Sequence, residues 1–158
     1  LKREYPRLSD SSKESQAIAE HTFELGQYLL RLHRQKLINL EDAQSAGSIA
    51  FHAACHSRAQ YMGTPSADLL GLLPNTKVEV IERCSGHDGT WGTKKDYHEL
   101  SLLIGGKLFN AINDIDPNIT VADCPLAAMQ IEQATGKRPV HTVEVLATCA
   151  ATVIPDTE

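Results

Sequence analysis

The chain has 158 residues, 42% of them hydrophobic, which suffices for one domain of ordinary size with its own core. Its 15 basic and 20 acidic residues leave a formal charge of -5, which excludes a general electrostatic attraction to nucleic acid or anionic lipid. The longest apolar runs are too short to cross a bilayer and no signal-peptide pattern opens the sequence, so a cytoplasmic location is expected.

The opening "LKREYPRLSDSSKES" lacks Met and reads as the continuation of something upstream, as in a C-terminal piece of a larger protein. Residues 13–36 are predicted as the clearest helix. Ile18, Phe23, Leu25, Leu29, Leu30 and Leu32 include helical spacings, and "DSS" before them offers a cap. "GSIAFHAAC" is predicted as a short strand running into Cys55, and "ADLLGLL" as a helix ended by Pro74-Asn75. "KVEVIERC" is a second strand, ending at Cys84 with Val78, Val80 and Glu82 in alternating phase. Then comes the glycine-rich "SGHDGTWGTKK". "DYHELSLLIGGKLFNAINDI" is a helix that Gly105-Gly106 weakens, with room for another element to pack closely. "NITVADC" is a third strand, ending at Cys124. "PLAAMQIEQATG" is a helix with Pro125 in its first turn and Gly136 as its C-cap, and "HTVEVLATCAATV" is the last helix.

Strand and helix alternate, which predicts an α/β fold: a small, mostly parallel sheet flanked by helices. The expected division is a linker and helix over residues 1–47, then the α/β domain over 48–158. Cys55, Cys84 and Cys124 are each expected at the C-terminal end of a strand. Such ends share one edge of an open sheet, where ligands bind, so three thiols distant in sequence should converge.

Without a secretory context the four cysteines are expected to be reduced. Converging thiolates suit zinc or an iron–sulfur cluster. Gly86, Gly89 and Gly92 would let backbone amides turn toward a sulfur, and His52, His56 and His87 are the neighbouring candidates for a fourth ligand. Cys149 is expected in the core. His21, His33 and His98 are expected at the surface, and at His141 helix capping competes with ligation. Trp91 is a lid or a loop anchor, and Lys94 and Lys95 are solvated charges at the mouth. A catalytic Cys–His pair, Cys55 with His56 or Cys84 with His87, is an open alternative that leaves the other thiols unexplained.

Three blocks, "FHAACHSRAQYMG", "VIERCSGHDGTWGTKKDYHELSLLIGGKLF" and "VADCPLAAMQIEQATGKRPVHTVEVL", together resemble the cysteine-rich (CCG) domain. That domain occurs in heterodisulfide reductase and in the iron–sulfur subunits of anaerobic glycerol-3-phosphate dehydrogenase and glycolate oxidase. The resemblance spans residues 48–147 and implies that this is the second of two such domains. Cys55 matches the family's lone cysteine, and Cys84 the first of its Cys-Cys-Gly. Ser85 stands in the second place, followed by the expected Gly86. Cys124 matches the first cysteine of a C-x-x-C whose second is here Ala127. The remaining thiols suit a cubane 4Fe-4S cluster with one open iron, or zinc completed by His87 or, less well placed, His56. The family implies an electron-transfer subunit of an oxidoreductase, between a flavoprotein dehydrogenase or other electron donor and a quinone or thiol acceptor. It also implies a cytoplasmic protein, or one peripheral to the inner membrane. A zinc-stabilised interaction module that has lost redox function is the alternative.

Overall fold

A computed structural model describes residues 1–150. Three parallel strands, β1 (Ser48–His52), β2 (Lys77–Ile81) and β3 (Ile119–Ala122), form a sheet in the order β2-β1-β3. The register pairs His52 with both Ile81 and Ala122, so all three strands stop at one level. The α/β class and the all-parallel sheet agree with the sequence reading.

The pleat explains the layers. Ile49 and Phe51 of β1 point to one face, where they pack with Leu30, Leu69, Leu70, Val145 and Cys149. These residues come from α3 (Leu25–Arg34), α5 (Pro65–Leu70) and α8 (Thr142–Ala150). Ala50, between them in sequence, points to the other face with Leu108, Phe109, Ile112 and Ile131. That face is covered by α6 (His98–Ile115) and α7 (Pro125–Thr135). The chain therefore leaves β1 over one face and β2 over the opposite one, and this divergence opens a crevice beyond the strand ends.

Several expectations are corrected. The helix predicted over 13–36 is two, α2 (Lys13–Glu20) and α3, and a short α1 (Glu4–Leu8) precedes them where no helix is predicted. Thr22 Oγ1 donates to the Ile18 carbonyl at 2.7 Å and the His21 ring to that of Ala17 at 2.8 Å. These bonds satisfy the last turn of α2, and the Glu24 carboxylate then caps α3 through Gln27 N–H. Leu30, Leu40, Ala43 and Ala46 lie in the same core cluster as Ile49 and Phe51 of β1.

The strands also stop short of the cysteines. Ala53-Ala54 separate His52 from Cys55, Glu82-Arg83 separate Ile81 from Cys84, and Asp123 separates Ala122 from Cys124. Cys55 opens a short helix, α4 (Cys55–Ala59), rather than ending an extended segment. The last helix is described to Ala150, and the end of its predicted span lies outside the described residues.

Gly136 closes α7 in the left-handed region, at φ 70°, and a Cβ there would meet no atom within 4 Å. Gly136→Ala is thus expected to cost only the left-handed penalty, about 1 kcal/mol, as a lowered urea midpoint with an unchanged slope.

Candidate functional site

Beyond the shared end of the strands lies a cleft of about 760 Å³. Cys55, Cys84 and Cys124 all line it, each from a different strand–helix connection, together with His52, His56, His87 and Trp91. Cys55 and Cys84 are exposed and Cys124 is half-buried. Among the described residues, no three His, Cys, Asp or Glu side chains already surround a single point as a metal-ligand group. The thiols share a cleft without forming a closed set. Cys149 is apart from them, buried in the core, where desolvation pushes its thiol pKa up.

Each thiol has its own local support. Cys124 is the N-cap residue of α7, with Pro125 at the first helical position, so its sulfur lies by the positive end of an eleven-residue helix. Cys84 accepts the Gly86 N–H at 3.3 Å, the kind of contact that tunes a ligated sulfur. Cys55 is followed within α4 by His56, and in a helix adjacent side chains no longer point to opposite faces. That removes the reason for placing His56 second to His87.

Of the three loop glycines, Gly86 has the expected role and Gly89 and Gly92 do not. Only the Gly86 amide reaches a sulfur; Gly92 N–H bonds to the His87 carbonyl at 3.0 Å, and Gly89 faces open space. What the glycines permit is close packing of the loop on α6. A Cβ on Gly86 would fall 1.9 Å from the Ser101 carbonyl oxygen, and one on Gly92 would fall 2.4 Å from Ser101 Oγ. Gly105 answers from the helix, since a Cβ there would meet the Ser85 carbonyl at 2.6 Å. The expected close approach at Gly105-Gly106 is thus real at Gly105, while Gly106 faces open space.

His52 and His87 are both buried, at 3% and 7% exposure. A His52 ring nitrogen, Nε2, donates to the Arg83 carbonyl at 3.0 Å, and its Nδ1 is left buried without a partner. Burial lowers the His52 pKa from the usual 6.5; the Arg83 carbonyl partly opposes this, and His56 adds a smaller lowering. His52 is therefore neutral in the folded chain at neutral pH. Below pH 6.5 the unfolded chain takes up the proton before the folded one does. The stabilisation is complete above that value and is lost as pH falls through the lower folded one. Urea midpoints of the parent should decline over this window more steeply than those of His52→Asn.

His87 Nε2 is likewise buried without a hydrogen-bond partner. The donor set, three thiols and an orphaned imidazole nitrogen around one cleft, fits a thiolate-bound metal group in its chemistry. Ser85 and Ala127, which stand where the resembled family has thiols, are both buried along the cleft wall. Trp91 stacks on Tyr97 with ring centroids 4.9 Å apart, which anchors the loop's far end. His141 is a capping residue, accepting from Val143 N–H at 3.2 Å, and it does not line the cleft. His33 and His98 are half-buried, and His33 Nδ1 is without a hydrogen-bond partner.

Two contributors escape the sequence reading. Ser101 is fully buried on α6 and donates its hydroxyl to the Gly86 carbonyl at 2.8 Å, while Gln130 of α7 donates to Ser101 Oγ. Their signal is that of polar residues at core-facing positions of otherwise apolar helices.

The fold and site define a class: an open parallel α/β sheet with a thiol-lined cleft at its C-terminal edge. Within it, the chain is similar to a subunit of anaerobic glycerol-3-phosphate dehydrogenase, the one designated C, from Escherichia coli (strain K12). The two are 31% identical over 104 residues, which is 65% of this chain and 26% of the relative. The same protein from Escherichia coli O157:H7 gives the same figures. The chain thus spans 26% of the length of the curated relatives it matches. No protein-family model matches the sequence, and no solved structure matches it.

Proposed function

We propose that the chain is part of an iron–sulfur electron-transfer subunit of a dehydrogenase, with Cys55, Cys84 and Cys124 as the cluster ligands. The observation that carries the reading is that three thiols from three separate connections line one cleft. Similarity to a subunit of a glycerol-3-phosphate dehydrogenase supports the dehydrogenase context. When bound, a cluster of this kind supplies one-electron transfer at a potential set by its surroundings.

The chain's own residues would do the rest. The Gly86 amide and the amino end of α7 offset negative charge on Cys84 and Cys124. Leu100, Ile104, Leu126 and Ala127 give the cleft an apolar wall, which lowers water access and tunes the potential. His87 is the proposed fourth donor, because a ligand bond would satisfy its orphaned nitrogen. His56, exposed beside Cys55, is the alternative. Electrons would arrive from a flavoprotein subunit and leave to a quinone or thiol acceptor. No helix among the described residues is long and apolar enough to cross a membrane, so contact of this part with a membrane-bound acceptor would be peripheral.

The test is metal analysis of chain purified without oxygen. Iron with labile sulfide in equal amounts is expected. Stoichiometric zinc without sulfide would replace this reading with a zinc-stabilised module, and neither would reject both.

A further inference from the structure

The loop that carries Cys84 and His87 depends on residues well outside it. The Gly86 carbonyl is held by Ser101 of α6, and Ser101 in turn by the side-chain amide of Gln130 on α7. Both side chains are buried, at 0% and 5% exposure, and neither lines the cleft. Around them the face is apolar, built from Leu108, Phe109, Ile112 and Ile131. A buried hydroxyl and amide are costly unless paired, and apolar residues would fill the same space at less risk. Packing alone therefore does not account for them.

Their placement does. Gln130 belongs to the helix that Cys124 caps, and the Gly86 carbonyl belongs to the loop that presents Cys84. One polar chain runs from the helix of one thiol, through α6, to the loop of another. The seat is close: Gly92 lies against Ser101 Oγ and Gly86 against the Ser101 carbonyl, so the loop has little freedom to slide.

We infer that Ser101 and Gln130 are positioning residues that fix the 84–92 loop relative to α7, and so set Cys84 relative to Cys124. The inference rests on the cluster reading for its consequence, since the distance between two thiols matters when both bind one centre. The locking itself does not depend on that reading.

Ser101→Ala and Gln130→Met test it in the full chain, with Ile112→Val as a control. Ile112 is fully buried in the same cluster and lines no part of the cleft. Two readouts are taken: amide hydrogen exchange, and iron retained after anaerobic reconstitution with ferrous iron and sulfide. In Ser101→Ala, exchange over residues 84–92 should rise about tenfold, the ratio expected when a buried partner is stranded. Exchange in β1 should not change, and retained iron should fall. Gln130→Met should move both in the same direction by less, and it decides the matter if Ser101→Ala does not fold. Ile112→Val should lower the unfolding midpoint and move neither. Unchanged loop exchange in both test variants would overturn the inference, as would an equal loss of iron in the control. If the parent retains no iron, the cluster reading falls, and loop exchange alone then upholds or overturns the locking.

Discussion

Replacing Cys84 by alanine is expected to abolish iron retention while leaving the chain folded. Cys84 is exposed and makes no core contact, so its loss removes little packing. Its sulfur is one of only three cleft thiols, and with Ser85 and Ala127 beside them no spare thiolate can take its place. The opposite pattern is expected for Cys149→Ala. That thiol is 5% exposed and packs in the core with Val145 and Leu40. Its removal should cost about 1 kcal/mol of stability, at the low end for a large-to-small core change, and leave iron unchanged. Iron per chain and the urea midpoint, measured on both variants, separate the roles. Loss of iron from both to the same degree would contradict the assignment.

Gly86→Ala should be the most damaging glycine substitution. The residue sits at φ 83°, and its Cβ would fall 1.9 Å from the Ser101 carbonyl oxygen, a backbone atom of a buried helix turn. Left-handed strain and a backbone overlap act together, so about 3 kcal/mol or more is expected. For a chain of this size that is a melting-temperature decrease of about 6–12 °C. The neighbouring pair in α6 gives a contrast within one helix. Gly105→Ala should destabilise, because its Cβ would strike the Ser85 carbonyl and the Phe109 ring. Gly106→Ala meets nothing within 4 Å and should stabilise by about 0.5–1 kcal/mol through helix propensity. Thermal melts of the three variants would give three different outcomes from one residue type. A Gly86→Ala chain that melts with the parent would show that the loop does not rest on α6 as described.

Much of the fold is legible in the sequence because its signals are local. Lys77–Ile81 and Ile119–Ala122 alternate or run apolar as strands do, and Pro125 and Gly136 bracket α7 at the positions their backbone preferences dictate. The edge location of the thiols follows from topology, since parallel strands end together. Less legible are the features that depend on packing across the chain. Nothing in "AEHTFEL" marks a helix break by propensity; the break comes from His21 and Thr22 folding back onto carbonyls and from Glu24 restarting the helix. The end of β1 is masked because Ala53 and Ala54 continue the apolar run, although the chain has already turned toward α4. The glycines around Cys84 look from sequence as if they serve a sulfur, whereas most of them serve a helix surface that no local pattern reveals.

The claim that the three thiols share one centre is met most directly by iron X-ray absorption on protein purified without oxygen, compared with Cys124→Ala. A shared cluster predicts iron in a sulfur shell with an iron–iron scattering path, both absent from the variant. An iron environment of nitrogen and oxygen without an iron neighbour, or one that survives the loss of Cys124, would contradict it.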